Sequence, residues 1–379
     1  MFKKYKLRSY NIRLVILLII TTLYGIAVID SANSYYTIRQ TMGLGLCLVV
    51  MVVMSFIDYN WLLRFYWLAY FINVVLLLLV KFAGVKKNGA KRWFRVAGIQ
   101  LQPSELCKIV MILFTAKLIS MYKNQINDWH FLAVLAILLL VPLGLIIIEP
   151  DLSTTVLIAL VLLTIIFCAG LSYKIIGVAL LILVPVVTGL AIYISNPNQT
   201  LLEDYQRNRI MAFIDPENYG DGTYQQDYSV RAIGSGQLTG KGLDNEDPSS
   251  LKNANYIAEA QTDFIFAVVG EELGFVGSCL VVILLSWIVI ECIIAAVRAK
   301  DFTGRLICCG AAGYIAFQSF INIGVVTRLL PNTGLPLPFF SYGVTSLLTL
   351  YITMGVVLNV CLQRNVERDD EIYADDFRG

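Results

Sequence analysis

Long apolar runs recur along this chain of 379 residues, and they constrain its fold more than any other feature. A helix that crosses the hydrocarbon core of a bilayer needs about 20 mostly apolar residues. Hydrophobic residues make up 58% of the chain and charged residues 15%, which is too apolar for one water-soluble core. We therefore predict an all-α polytopic membrane protein with about ten transmembrane helices. The predicted spans are 13–33, 39–58, 61–83, 104–121, 130–148, 151–170, 173–195, 264–297, 303–327 and 341–363.

The basic residues indicate how these spans are oriented, because cytoplasmic connections carry an excess of lysine and arginine. A basic run from Lys3 to Arg13 precedes the first span, Arg298 to Arg305 join the eighth and ninth spans, and Arg364 follows the last. We therefore expect both termini to be cytoplasmic and the first span to be an uncleaved helix. Residues 367–379 mix acids and arginines with little apolar surface, which predicts a disordered cytoplasmic tail.

This orientation leaves two unusual connections on the outer side, near 84–103 and near 196–262, the second between the seventh and eighth spans. The first is basic and includes Lys91, Arg92 and Trp93. Cations on the outer side break the usual charge distribution, so they favour an anionic partner. Attraction to lipid headgroups, with Trp93 at the interface, is the alternative.

Composition also excludes several classes of function. Because His130 is the single histidine, any catalytic arrangement that needs a second imidazole is ruled out, and so is any multi-histidine metal site. The chain has 29 basic and 27 acidic residues, so it is not a generally basic protein that binds nucleic acid. Chemistry is therefore expected to depend on carboxylates and cations.

Ionisable groups at membrane depth are costly and suggest function. Glu105 and Lys108 follow Pro103, which starts a helix, and their spacing places both on one face. They form either a structural ion pair or a pair that positions a group in a polar cavity. Asp263 lies at the outer mouth of the eighth span, where it is either a general base or a helix cap.

Three further segments carry weaker signals. Glu271 and Glu272 lie two turns deeper, beside glycines that favour helix packing and a buried polar contact. Residues 330–343 contain three prolines and two glycines but few charges, which predicts a re-entrant segment before the tenth span that could hold a lipid chain or headgroup. The glycine-rich stretch 231–242, taken with Arg207 and Arg209, resembles a phosphate cradle and favours an outer site for a phosphorylated, lipid-borne substrate.

Several motifs occur in series along the chain. They are Gln102-Pro103-Ser104-Glu105, Glu149-Pro150-Asp151-Leu152, Ala232-Ile233-Gly234-Ser235-Gly236, Gln261-Thr262-Asp263-Phe264-Ile265-Phe266, and the segment from Pro331 through Ser341-Tyr342-Gly343. In order and spacing this set resembles the SEDS family of RodA, FtsW and SpoVE type proteins, and its short termini are closer to RodA. The chain departs from the family pattern at Ser153 and Val344, where glycine is usual, and at Thr327-Arg328, where a small residue is common.

The resemblance implies one ten-helix membrane domain, residues 1–366, in the bacterial cell membrane. It implies a peptidoglycan glycosyltransferase that polymerises lipid II into β-1,4 glycan and releases undecaprenyl diphosphate, for cell elongation or division. In this reaction the 4-hydroxyl of the acceptor GlcNAc attacks the anomeric carbon of the donor MurNAc and inverts it. Asp263 is then the expected base. The residues expected to bind substrate or line the cavity are Glu105, Lys108, Lys91, Arg92, Trp93, Arg207, Arg209 and Ser341.

The resemblance also implies partners: lipid II, the undecaprenyl-linked glycan, a class B penicillin-binding protein and other elongation or division machinery, but no nucleic acid. No metal cluster is visible in the sequence, so a Mg²⁺ or Mn²⁺ ion would be held with the substrate diphosphate. Two other functions stay open at this point. One is a lipid II flippase or transporter, and the other is a non-catalytic scaffold of the cell-wall synthase complex.

Overall fold

A computed structural model of the chain describes residues 10–87, 90–96, 99–195, 199, 204–215, 224–244 and 259–363. The N-terminal residues Lys3 to Arg8, Arg364 and the predicted tail 367–379 lie outside the described residues. Helices occupy all ten predicted spans, with a short helix, α3, before the third. The helices are α1 Ile12–Asn33, α2 Thr37–Phe56, α3 Tyr59–Leu62, α4 Tyr66–Ala83, α5 Pro103–Met121, α6 Trp129–Ile148, α7 Leu152–Cys168, α8 Tyr173–Ser195, α9 Asp204–Ile214, α10 Tyr224–Ser235, α11 Ile265–Val297, α12 Phe302–Val326 and α13 Val344–Leu362.

The surface of this bundle is that of a multi-pass membrane protein. Within the described ranges, six helical stretches are long and apolar enough to cross a bilayer, and α7 is a shorter apolar helix. They present large apolar side chains outward: Phe82 is 76% exposed and Met42 72% exposed. Such surface is stable against lipid but not against water. The all-α prediction is confirmed for the spans, while the count of ten crossings stays a prediction.

Helix boundaries follow from short polar side chains that cap free backbone amides. Asp151 is an example, since its carboxylate accepts a hydrogen bond from Thr154 N at the start of α7. The predicted break at residues 149–151 is therefore confirmed, because a proline and a capping acid end α6 and start α7. Asn11, Asp128 and Asp301 cap α1, α6 and α12 in the same way.

The connections expected on the outer side contain more regular structure than the sequence indicated. The first contains three short antiparallel strands, β1 Val85–Lys87, β2 Ala90–Val96 and β3 Ile99–Leu101, in the order β1-β2-β3. The connection near 196–262 contributes α9 and α10. These two connections, the 149–151 turn and residues 327–343 all lie at one end of the bundle, which we call the site end.

The segment 236–244, after α10, packs against α11 through glycines. A Cβ atom on Gly236 would overlap the Gly270 carbonyl oxygen, and one on Gly240 would overlap Glu272. Gly274 interrupts α11 with a φ of 64°, a conformation that favours glycine. The amides of Phe275 and Val276 just beyond it donate to Gln237 O at 2.9 Å and Leu238 O at 3.1 Å.

This close approach generates a test of stability. We expect Gly236→Ala to lower the free energy of unfolding by about 3 kcal/mol or more, because the new methyl group meets backbone that has no room to move. Gly144→Ala in α6 is the matched control, since no atom lies within 4 Å of the added Cβ. Thermal unfolding of the purified protein in detergent measures both. Equal midpoints for the two variants would contradict the packing described.

Candidate active site

The irregular segment 327–343 between α12 and α13, which we call the Pro-Gly segment, forms the centre of the site end. It matches the predicted re-entrant segment: Leu335, Leu337 and Phe340 are at most 4% exposed, yet the backbone there makes no helix. Backbone groups in such surroundings need hydrogen-bond partners. Two amide side chains of α12 supply them, since Gln318 Nε2 donates to Pro336 O at 2.8 Å and Asn322 Nδ2 donates to Leu335 O at 2.7 Å.

Other helices hold the first half of the Pro-Gly segment. Gln226 of α10 donates through Nε2 to Leu330 O at 2.8 Å. Ser153 in the first turn of α7 donates through Oγ to Thr333 O at 2.6 Å. Arg328, with a φ of 60°, pairs with Asp227 of α10. The departures from the family pattern at Ser153 and Arg328 thus make contacts specific to these side chains.

Asp263 lies in the turn 261–264 that leads into α11 and is fixed there by its backbone. Asn322 Nδ2 donates to Asp263 O at 2.7 Å, and Ser341 Oγ donates to the neighbouring Thr262 O at 2.6 Å. The helix begins at Ile265, and its N-cap Phe264 makes no side-chain cap bond. The N-cap position of α11 is therefore one residue beyond Asp263.

The carboxylate of Asp263 faces the Pro-Gly segment at Gly334, whose φ is 71°. A Cβ atom placed on Gly334 would lie 3.3 Å from Asp263 Oδ2 and 3.8 Å from Arg209 Nη1. The carboxylate and the guanidinium therefore share one small space, although Arg209 comes from α9, far away in sequence.

The predicted pair of Glu105 and Lys108 is present and buried, with exposures of 5% and 3%. Lys108 Nζ lies 2.6 Å from Glu105 Oε1 and also donates to Gln318 Oε1 at 3.3 Å. The ammonium group lies 5.1 Å from the centre of the Tyr314 ring. Through Gln318 the ion pair connects to Pro336 O, so the pair supports the Pro-Gly segment.

Arg92 of β2 contacts the 149–151 turn. Its Nε donates to Glu149 O at 3.1 Å, its Nη2 donates to Pro150 O, and its Nη1 lies 3.8 Å from Asp151 Oδ1. Asp151 also accepts from Gln102 Nε2 at 3.2 Å. Arg92 therefore joins the small sheet to the start of α7.

The other predicted site residues are spread over the same end. Arg207 of α9 donates through Nε to Ile194 O at 3.2 Å and is half-buried. Trp93 is half-buried in β2 and pairs in register with Val85. Lys91 is a β2 residue whose side chain lies outside what the structure describes.

The phosphate-cradle interpretation of 231–242 is wrong. The amides of Lys241 and Gly242 donate to Glu271 O at 3.0 Å and Glu272 O at 2.9 Å, so they face α11 rather than a ligand. Lys241 Nζ lies 2.8 Å from Glu271 Oε1, and Ser31 Oγ donates to Glu272 Oε1 at 2.5 Å. The expected role of the two glutamates in packing and buried polar contacts is confirmed.

Sequence reasoning missed Gln318, Asn322 and Gln226, which hold the Pro-Gly segment. A signal for the first two was present, because amide side chains four residues apart lie on one face of an otherwise apolar helix. Amides in a membrane helix need partners, and the nearby proline-rich segment has free carbonyls. Gln226 lies in a polar helix and gave no such signal.

Comparison with known proteins places the whole chain in one group. The family model for FtsW, RodA and SpoVE, described as cell cycle protein, matches residues 7–366. The probable peptidoglycan glycosyltransferase FtsW of Trichlorobacter lovleyi is 33% identical over 94% of this chain and 94% of its own length. The peptidoglycan glycosyltransferase MrdB of Escherichia coli K12 is 33% identical over 93% of this chain and 94% of its own.

Solved structures with a similar fold come from the same kind of protein. A chain from a study of how a peptidoglycan synthase complex coordinates polymerization and crosslinking has a TM-score of 0.77 and 28% identity, covering 93% of this chain and 97% of that one. The rod shape determining protein RodA of Thermus thermophilus has a TM-score of 0.69 and 27% identity, covering 94% of this chain and 97% of that one.

The buried ion pair generates one test. We expect Lys108→Met to lower the free energy of unfolding by about 3–5 kcal/mol, because it leaves the buried Glu105 carboxylate without its cation. Adding Glu105→Gln should restore much of the loss. Lys117→Met, on the same helix but only half-buried, is the matched control. Thermal unfolding in detergent measures all three, and a double variant less stable than Lys108→Met would contradict the pairing.

Glu149, in the turn between α6 and α7, generates a pH test. Its side chain is 3% exposed, and neither carboxylate oxygen has a hydrogen-bond partner among the described residues. Burial, with a smaller contribution from Asp151, raises the pKa of Glu149 from 4.5 to about 8, against the opposing effect of Arg92.

The neutral carboxyl therefore stabilises the fold fully below pH 4.5, and this contribution is lost as the pH rises through about 8. Glu149→Gln stays neutral at every pH and should lack the loss. We expect its stability relative to the wild type to grow by up to about 1.4 kcal/mol per pH unit between those values and then level off. Parallel curves of unfolding free energy against pH would overturn this expectation.

Proposed function

This chain belongs to the FtsW, RodA and SpoVE family, and from this premise we propose that it is a peptidoglycan glycosyltransferase that polymerises lipid II. The observation that carries the proposal is similarity along nearly the full length of relatives that bear that activity in their names. The chain then extends a β-1,4 glycan strand and releases undecaprenyl diphosphate. The position of the Asp263 carboxylate in a turn at the mouth of α11 supports this chemistry.

In the proposed reaction Asp263 is the general base. The 4-hydroxyl of the acceptor GlcNAc attacks the anomeric carbon of the donor MurNAc, and the bond from that carbon to the diphosphate oxygen breaks. A hydroxyl is a weak nucleophile unless a base takes its proton in the transition state. A single displacement converts the α-linked donor into a β-linked product, and it needs no protein nucleophile.

The departing diphosphate needs positive charge nearby. Arg209 is the cation that the structure brings beside Asp263 and Gly334. We assign it to the reacting end of the donor, with Arg207 of the same helix and Lys91 further out. Arg92 is bonded to the 149–151 turn, and Trp93 is its neighbour in β2. We therefore assign both residues to stabilising the conformation of the outer connection.

We assign Glu105, Lys108 and Ser341 to supporting the site through hydrogen bonds. The ion pair holds Gln318, which holds Pro336 O, and Ser341 holds Thr262 O next to the base. A base must lie within hydrogen-bond reach of the proton that it removes. These residues therefore hold the Pro-Gly segment and Asp263 in fixed positions relative to each other.

A divalent cation fits this scheme as an ion held together with the substrate. The described residues contain no group of three or more His, Cys, Asp or Glu side chains that could hold a metal ion. We propose that Mg²⁺ or Mn²⁺ enters with the diphosphate, whose negative charge it offsets. Asp263 and Arg209 carry out the roles above in either case.

The same family membership supports a cross-linking partner. One similar structure comes from a synthase complex that couples polymerization to crosslinking. We propose that this chain works with a class B penicillin-binding protein and with elongation or division machinery in the bacterial cell membrane. Both termini are then cytoplasmic, as Arg298 and Lys300 between α11 and α12 favour, and the site end faces outward.

Polymerisation of purified lipid II by the protein in detergent tests the proposal. The partner is included with its transpeptidase inhibited. We expect glycan from the wild type and a loss of at least about a hundredfold in Asp263→Ala and Asp263→Asn, because both lack the base. Asp215→Asn, an acid at the end of α9, is the matched control and should retain activity. Equal polymer from all variants would remove Asp263 from the chemistry, and none from the wild type would favour transport or scaffolding.

A further inference from the structure

We propose that Ser153 is a positioning residue that holds the backbone beside the Asp263 carboxylate, and that Arg92 fixes the turn from which Ser153 acts. The inference rests on the proposed function, since it takes Asp263 as the base. It assigns the outer sheet a part in catalysis through backbone geometry, without contact between Arg92 and substrate.

The first step of the argument is the contact of Ser153 with the Pro-Gly segment. Its half-buried hydroxyl donates to Thr333 O at 2.6 Å, a short distance even for a hydroxyl donor. The peptide unit that carries this carbonyl leads directly into Gly334, which lies against Asp263 Oδ2. A shift of Thr333 O therefore moves the surface that the carboxylate faces.

The second step is the arrangement of supports on either side of Gly334. On the C-terminal side, Asn322 and Gln318 hold the carbonyls of Leu335 and Pro336. On the N-terminal side Ser153 supplies the support at Thr333. The next contact on that side, Asn332 Nδ2 to Gln225 Oε1, is longer at 3.3 Å and joins side chains rather than backbone. Loss of the Ser153 hydroxyl would therefore leave Gly334 held closely from one side.

The third step connects Ser153 to the outer sheet. Ser153 is the second residue of α7, so its position follows the turn before it. Asp151 caps that helix through Thr154 N at 3.3 Å, and Thr155 Oγ1 donates to Asp151 O at 2.9 Å. Arg92 holds the same turn by two carbonyls and one carboxylate. Hydrogen bonds and ion pairs therefore run from β2 to the Pro-Gly segment.

A residue that positions the backbone beside the base affects the reaction rate rather than the affinity for substrate. A displacement of about 1 Å at a reacting group can reduce the rate about a hundredfold, whereas binding of a long lipid-linked substrate depends on many contacts. Removal of the Ser153 hydroxyl should therefore lower kcat and leave KM for lipid II nearly unchanged. A residue with only a structural role would lower the amount of folded protein instead.

The experiment compares Ser153→Ala with Ser120→Ala. Ser120 is the matched control, because its half-buried hydroxyl also makes an interhelical bond of 2.6 Å, to Thr303, but lies near the other end of α5 from Glu105. We expect Ser153→Ala to lower kcat about tenfold with KM changed less than about twofold, while Ser120→Ala keeps the wild-type kcat. Both should have similar unfolding midpoints.

Two double variants complete the design. Arg92→Ala combined with Ser153→Ala should lose less activity than the product of the two single losses, because both act on one support. Ser153→Ala should cause no further loss in the Asp263→Asn background. A wild-type kcat for Ser153→Ala, or one equal to that of Ser120→Ala, would overturn the role of Ser153, and multiplying losses would overturn the role of Arg92. Polymer from Asp263→Asn at the wild-type rate would instead refute the proposed function.

Discussion

The need to satisfy backbone groups away from water governs the site end of this protein. The Pro-Gly segment runs through apolar surroundings without forming a helix, so its carbonyls have no regular partners. Side chains from four other helices supply donors: Gln318 and Asn322 from α12, Gln226 from α10, Ser153 from α7 and Gln40 from α2. Each of these four helices therefore fixes part of its path. The backbone of Asp263, the proposed base, is held by the same network, because Asn322 donates to both Leu335 O and Asp263 O.

Much of the fold could be predicted because apolar length is a strong local signal. Each predicted span coincides with a helix, and the break at Glu149 to Asp151 follows from one proline and one capping acid. The pair of Glu105 and Lys108 followed from spacing on a helix face. These features depend on residues that are close in sequence, so the sequence alone is enough to predict them.

Features that depend on distant partners could not be predicted in this way. The glycine-rich stretch 231–242 suggested a ligand, but Gly236 and Gly240 are small because α11 lies against them. Arg92 suggested contact with an anionic partner, but its guanidinium meets the ends of α6 and α7. Sequence indicates that a small or charged residue is needed, and only the tertiary structure shows what it faces. The proximity of Arg209 to Asp263 is of the same kind, since the two are joined by a long connection.

The interruption of α11 at Gly274 has a consequence for how the chain is inserted. Two amides just beyond the break donate to carbonyls of residues 237 and 238, so the part of this helix near the site end depends on two stretches of chain. A helix leaving the insertion machinery alone would lack those acceptors and would continue straight. The bent form therefore requires that the preceding connection has folded against α11. The site end is therefore complete only when the connection before α11 and the helix α12 are both in place.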